Sequence, residues 1–290
     1  MEPLWDAFCV PLWGRVFPLL VWLVGLTAVF VPLEMLFAVH PHSGPRRQWV
    51  VDLGYYFLNS LISATLVAIP LSVLTVTLRD LLPAAWLAGV AEWPLWVRLV
   101  AALLVSETGY YWGHRISHQV PWLWRFHAIH HSAPQLDYLV NTRAHPLDMV
   151  FSRLCALVPL YGLGLGSPVQ IAGSLVPIVI SVLGTSWGFF VHANLKWRFG
   201  PLEWLISTPA FHHWHHTRTG PLDRNFSSTL PLLDLLFGTA YLPREFPADY
   251  GIDATLPETL VDQVLYPLVP ELTTGEMPGH AVDTSVVDCR

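Results

Sequence analysis

Between His114 and His131, five of eighteen residues are histidine, set out as H-R-I-S-H and, eight residues on, H-A-I-H-H. Neutral imidazole is the commonest protein ligand for transition metals. On a helix, His114 and His118 lie at i and i+4 on one face. His127 and His131 repeat that spacing, with His130 at i+3 beside them. A second H-x-x-H-H pattern, within F-H-H-W-H-H, supplies His212, His215 and His216, and a lone His192 lies between the boxes. Eight aligned imidazoles exceed the roughly six positions around one transition metal, so the count points to two metals in one site. Histidine tracts also bind metal adventitiously, but three spaced boxes in a chain poor in other charge argue for a built site. Nitrogen-rich, carboxylate-poor ligation suits iron, zinc or copper rather than magnesium or calcium.

The elements that must position these boxes are apolar. Of 290 residues, 53% are hydrophobic and only 12% charged, with fourteen tryptophans; about a quarter charged is usual for a soluble domain. That composition marks an integral membrane protein. The net charge of −6 offers no basic surface for nucleic acid. Cys9, Cys155 and Cys289 are far apart, which argues against disulfides, thiolate zinc and iron–sulfur clusters. The spacing predicts an all-α membrane protein of about three transmembrane helices plus a membrane helical hairpin. The spans are 16–39, 52–78 with Pro70 inside, and 95–112, the last running directly into His114. Residues 149–191, broken by Pro159, a glycine cluster and Pro177, form the hairpin, both of whose ends adjoin histidine boxes. The Trp-rich join at 121–126 belongs at the membrane–water boundary. Glu34 reads as an interfacial acid. Glu107 stands two turns before His114 on the same helical stripe, placed to orient a ligand from another helix. Residues 1–242 are expected to form one membrane-embedded domain, and 243–290 a polar, partly disordered tail.

Arginine bias sets the orientation. If the third span exits into the cytosol at His114, then Arg46 and Arg47 share that side with Arg115, Arg125, Arg143, Lys196, Arg198, Arg218 and Arg224, leaving Arg15, Arg79 and Arg98 opposite. Every histidine box then caps the bundle on its cytoplasmic face. A di-iron pair that activates O₂ suits this position beside lipid, where it reaches an unactivated C–H bond. A zinc transporter or membrane metallohydrolase is the alternative use of the same histidines. A transporter places its ligands near the bilayer midplane on discontinuous helices, whereas these boxes lie at helix ends and beyond.

Taken together, H-R-I-S-H, F-H-A-I-H-H-S, R-A-H-P-L-D, H-A-N, T-P-A-F-H-H-W-H-H and the closing N-F…L-F-G-T resemble the fatty acid hydroxylase/sterol desaturase superfamily over roughly residues 52–242. The stretch 192–216 is similar to the alkylglycerol monooxygenase branch. The resemblance implies that His114, His118, His127, His130, His131, His212, His215 and His216 are metal ligands, and adds His192. Where some relatives have a further histidine, Lys196 stands here, and His213 falls at a variable position of its box. His145, Asn141, Asp148, Asn194 and Asn225 match polar family positions implied to support the ligands. A bacterial-type member would sit in the inner membrane and oxidise a fatty acyl, sterol or ether lipid.

Such chemistry needs two iron ions and electrons from outside the chain. The glycine cluster Gly162, Gly164 and Gly166 follows no strand and lacks the nicotinamide-binding pattern. The donor expected is therefore an external ferredoxin or small cytochrome with its reductase, docking near Arg218, Arg224 and Arg244.

Overall fold

The computed structural model describes residues 10–41, 48–166 and 171–269. The Arg46–Arg47 loop, Cys9 and Cys289 lie outside the described residues. No strand occurs among those described, only an isolated antiparallel bridge between Thr217 and Tyr250. Four long helices frame the bundle: α1 (Val10–Phe37), α2 (Trp49–Asp80), α4 (Leu95–Gln119) and α7 (Ile171–His192). Between them lie α3 (Ala84–Ala91), α5 (Pro121–His131) and α6 (Pro146–Gly162). Three short helices follow, α8 (Pro209–His215), α9 (Leu232–Leu236) and α10 (Leu260–Leu265), with 3₁₀ turns at Tyr138–Thr142 and Gly200–Trp204. Two helical stretches are long and apolar enough to cross a membrane, Trp13–Phe37 and Leu175–His192. The number rises to four if α2, and α3 with α4 (118° apart), each count as one bent span. The stretch expected as a hairpin comprises α6 and α7, with α6 packed on α2 and α4. Helices α1, α2, α6 and α7 run through their internal prolines without a break.

Two apolar clusters hold this bundle. One gathers Leu26 and Phe30 of α1 with Tyr56 of α2, Tyr138, Leu139, and Phe189 and Ala193 at the end of α7. The other gathers Val67 and Leu71 of α2 with Val90, Ala102, Leu160, Tyr161 and Val176. Packing is closest between α4 and α6. A Cβ on Gly109 would overlap the backbone carbonyl of Cys155, and one on Gly113 would come within 2.8 Å of the Cys155 side chain. The outer faces of α1, α2 and α7 remain exposed and apolar, with Val24 66%, Ile69 72% and Leu183 58% exposed, the surface that lipid covers.

Polar ties fasten the ends of the bundle. Glu34, read from sequence as an interfacial acid, instead accepts the backbone N–H groups of Tyr138 (2.8 Å) and Asn194 (3.0 Å). Asn194 in turn accepts from Val39 N and His40 N and donates to the His40 carbonyl, locking the end of α1 to the end of α7. Residues past Pro243 also pack on this end: Tyr250 and Gln263 are buried.

Candidate metal centre

Helix α4 carries His114 and His118 one turn apart. Val120 leaves the helix with extended backbone, and Pro121 opens α5 at a position where its missing N–H is harmless. The chain turns there, so α5 brings His127, His130 and His131 back over the end of α4. His192 is the last residue of α7. Thr208 caps α8 by accepting from Phe211 N, which starts the turn carrying His212, His215 and, just past its end, His216.

All nine histidines expected as ligands are buried and converge in two adjoining groups. His114, His118, His127, His131 and His215 form one; His130, His192, His212 and His216 form the other; within each, one nitrogen per ring lies within 4.8 Å of the rest. The groups abut where the His131 and His216 rings stack at 4.4 Å. Each H-x-x-H-H box is divided between them. His127 and His131, at i and i+4, join the first group while His130 goes to the second; His212 and His216 join the second while His215 crosses to the first.

Whether this pocket fits metal is decided by its protons. His114 Nδ1–H donates to the Phe226 carbonyl (2.7 Å), His130 to Arg143 (2.9 Å), His192 to Gly188 (2.7 Å) and His215 to Arg224 (2.8 Å). A carbonyl only accepts, so each of these rings keeps its proton on Nδ1 and turns the Nε2 lone pair inward. Carboxylates do the same for two more: Asp223 accepts from His118 and Asp148 from His127, both at 3.0 Å. Nε2 of His114 then faces Nε2 of His127 at 3.1 Å, and Nε2 of His192 faces Nε2 of His130 at 3.2 Å. No proton lies between them. Facing lone pairs at that distance repel, and a cation between them turns the repulsion into ligation. Burial, reinforced by neighbouring imidazoles, holds His131, His212, His215 and His216 well below the ordinary histidine range and His130 at about 4, so the rings are neutral and their lone pairs free at physiological pH.

The remaining polar residues singled out from sequence occupy other places. Asp148 contacts a ligand-type ring directly, through His127. Glu107 accepts Thr229 N and Leu230 N at 2.8 and 3.3 Å. Asn225, held at φ 59°, bonds the Phe211 and Tyr241 carbonyls and Tyr241 N, clamping the loop behind α8. Asn141 packs against Gly188, whose carbonyl takes the His192 proton. His145 stands outside both groups, capping α6 through Leu147 N and donating to the Val264 carbonyl. His213 also stands apart: its Nδ1 accepts from Tyr250 O–H (2.9 Å) and its Nε2–H donates to the Ala193 carbonyl (3.0 Å). Arg218 is paired with Asp253 and Arg224 donates to the Gly238 carbonyl, both at the exposed surface.

Sequence reasoning missed Asp223, for which a single aspartate in a Pro/Gly-rich loop gives no signal. It also missed Arg143 and Asp52, a fully buried ion pair at 2.6 Å. Arg143 presents its carbonyl to His130 while its guanidinium reaches Asp52 and Ser132. The backbone acceptors carry no side-chain signature at all.

Fold and site thus define a helical membrane protein whose bundle ends in a buried nine-histidine pocket able to hold metal. Residues 99–239, which include all nine histidines, match the family described as fatty acid hydroxylase. The chain is 35% identical to ornithine lipid hydroxylase OlsE of Rhizobium tropici over 61% of its own length and 52% of the relative's. It is 29% identical to alkylglycerol monooxygenase of Xenopus tropicalis, over 56% of this chain and 33% of that one. Methylsterol monooxygenase 2-2 of Arabidopsis thaliana is 30% identical, over 50% and 54%. The chain therefore spans between a third and about half the length of these relatives. No solved structure matches it.

Proposed function

We propose that this protein is an O₂-dependent lipid hydroxylase that holds two iron ions in the nine-histidine pocket and works at the cytoplasmic face of a bacterial inner membrane. The observation that carries this reading is the convergence of inward-turned Nε2 lone pairs in two adjoining groups, which suits a pair of nitrogen-loving metals. The named relatives, which act on an ornithine lipid, alkylglycerols and methylsterols, support a lipid substrate, and their names favour hydroxylation over desaturation.

In this reading His114, His118, His127, His131 and His215 hold one ion, and His130, His192, His212 and His216 the other. The ions supply the activation of O₂ that attack on an unactivated C–H bond requires. The Asp148 and Asp223 carboxylates and the carbonyls of Phe226, Arg143, Gly188 and Arg224 fix the tautomer and aim of six of the nine rings. The buried walls, including Trp124 and Phe226 against the histidine rings, keep bulk water from the reaction. The overall balance is R–H, O₂, two electrons and two protons giving R–OH and water. The two electrons come from an external ferredoxin or small cytochrome.

The test is metal analysis and turnover of the protein purified into lipid nanodiscs. Two irons per chain, and one O₂ consumed per hydroxylated lipid when ferredoxin and its reductase are present, are expected. NADPH alone should give negligible turnover. Two zinc ions with no O₂ uptake in the complete system would favour the metallohydrolase or transporter instead.

A further inference from the structure

Two segments beyond the last predicted span have reversed polarity. Residues 199–207, around the second 3₁₀ turn, expose Phe199, Leu202, Trp204 and Leu205 at 37–60%, while the one acid among them, Glu203, is 3% exposed. It accepts Phe199 N and pairs with Arg198. Residues 229–237, around α9, expose Leu232, Leu235, Leu236 and Phe237 at 40–67%, while Asp234 is fully buried. Asp234 accepts Phe226 N, Ser227 N and the Thr239 hydroxyl. A cap bathed in water would show the opposite pattern, acids out and leucines in.

The depth of these segments is fixed by what they bind. The Thr229 and Leu230 N–H groups reach Glu107 of α4, seven residues and so ~10 Å before His114 at ~1.5 Å per residue. Phe237 lies against Tyr111 and Trp112 of the same helix at 5.2 and 4.9 Å. On the other side, Trp187 of α7 donates to the Ser207 carbonyl at 3.0 Å, five residues or ~7 Å before His192. Ser207 N donates to the Thr229 carbonyl at 2.8 Å, joining the two segments. The chain thus turns back from the histidine pocket along the lipid-facing lengths of α4 and α7.

We infer that residues 199–207 and 229–237 form one apolar plate that is sunk in the acyl region of the membrane leaflet beside the pocket. The occupant of its outer face is lipid, because the plate is continuous with the exposed apolar surfaces of α4 and α7 and presents no charge of its own outward. The consequence is a pocket that meets acyl chains, rather than water, on this side. The inference rests on α4 and α7 crossing the bilayer and is independent of which metal the pocket holds.

Nitroxide accessibility tests it on the full chain in phosphatidylcholine nanodiscs. The background carries Cys9→Ser, Cys155→Ala and Cys289→Ser, with single labels at Leu205→Cys or Leu236→Cys. Leu183→Cys on the outer face of α7 serves as the lipid standard and Thr255→Cys, exposed in the stretch before α10, as the water standard. Labels at 205 and 236 are expected to be reached by O₂ and shielded from a nickel chelate, with a ratio matching that at 183. A ratio matching 255 at either site overturns the plate. Shielding from both reagents at either site overturns it too, since that outcome assigns the face to a second copy or a protein partner.

Discussion

His212 and His213 are neighbours in the chain with separate roles, because successive residues on a helix point ~100° apart. His212 faces the second histidine group, its Nε2 lying 3.0 Å from that of His192. His213 faces away and ties Tyr250 to Ala193. Replacing His213 with Ala removes two buried hydrogen bonds and leaves a cavity, a loss of roughly 2–4 kcal/mol. Thermal unfolding should register that loss while the folded fraction keeps the metal content of the wild type. His130→Ala should lower the metal content itself; equal metal in the two variants would break the ligand assignment. The Asp52–Arg143 pair acts a step further out, since it anchors the residue whose carbonyl aims His130. Removing one partner strands a buried charge, worth about 3–5 kcal/mol, whereas replacing both by apolar residues of similar volume costs much less. Asp52→Leu and Arg143→Met should therefore each be more destabilising than the double variant. Additive losses in a thermal-shift series would contradict this account.

At the level of elements, the boxes were legible because i, i+3 and i+4 spacing is local, and local spacing is what a helix converts into a shared face. How each box is shared out was not legible. It depends on how α5 and α8 face each other, a contact between His131 and His216 that are 85 positions apart in the numbering. The acids mislead for the same reason: Glu34 reads as an interfacial acid and Glu107 as an orienter of a ligand, while Glu203 and Asp234 give no signal, yet each is bound to backbone N–H groups of another segment or its own turn. Glycines record the closest approaches. At Gly188 an added methyl would meet the Asn141 side chain, and Gly188 is also the acceptor for His192. At Gly109 it would meet the backbone of Cys155, which cannot be trimmed. Gly188→Ala should thus lower metal content and activity, with recovery on adding Asn141→Ala. No side-chain change in α6 should similarly rescue Gly109→Ala. Failure of the Asn141 change to restore metal would mean that Gly188 is needed for some reason other than this contact.

For the whole molecule, the division of labour among helices predicts where metal removal is felt. Helix α4 contributes only to the first histidine group and α7 only to the second, while α5 and α8 contribute to both; α1 and α2 contribute no ligand. Without metal, the facing Nε2 atoms of His114 and His127, and of His192 and His130, are left as uncompensated lone pairs. The carbonyls that hold three of their Nδ1 protons, and the Asp148 carboxylate that holds that of His127, stop the rings from simply exchanging tautomers. A ligand that binds only the folded state stabilises it by about 4 kcal/mol when present at a thousand times its dissociation constant, and two such sites act at the junction of α4, α5, α7 and α8. Chelation should therefore lower the melting temperature, and ferrous ion should restore it. The loosening should be local, because α1 and α2 are secured by apolar packing and by lipid rather than by the pocket. Hydrogen exchange in nanodiscs is expected to rise after chelation across 114–131 and 208–226 and to stay unchanged across 13–37. Exchange that is identical with and without metal at 208–226 would mean that the histidine rings are held by the fold alone, and that the pocket does not need a cation to close.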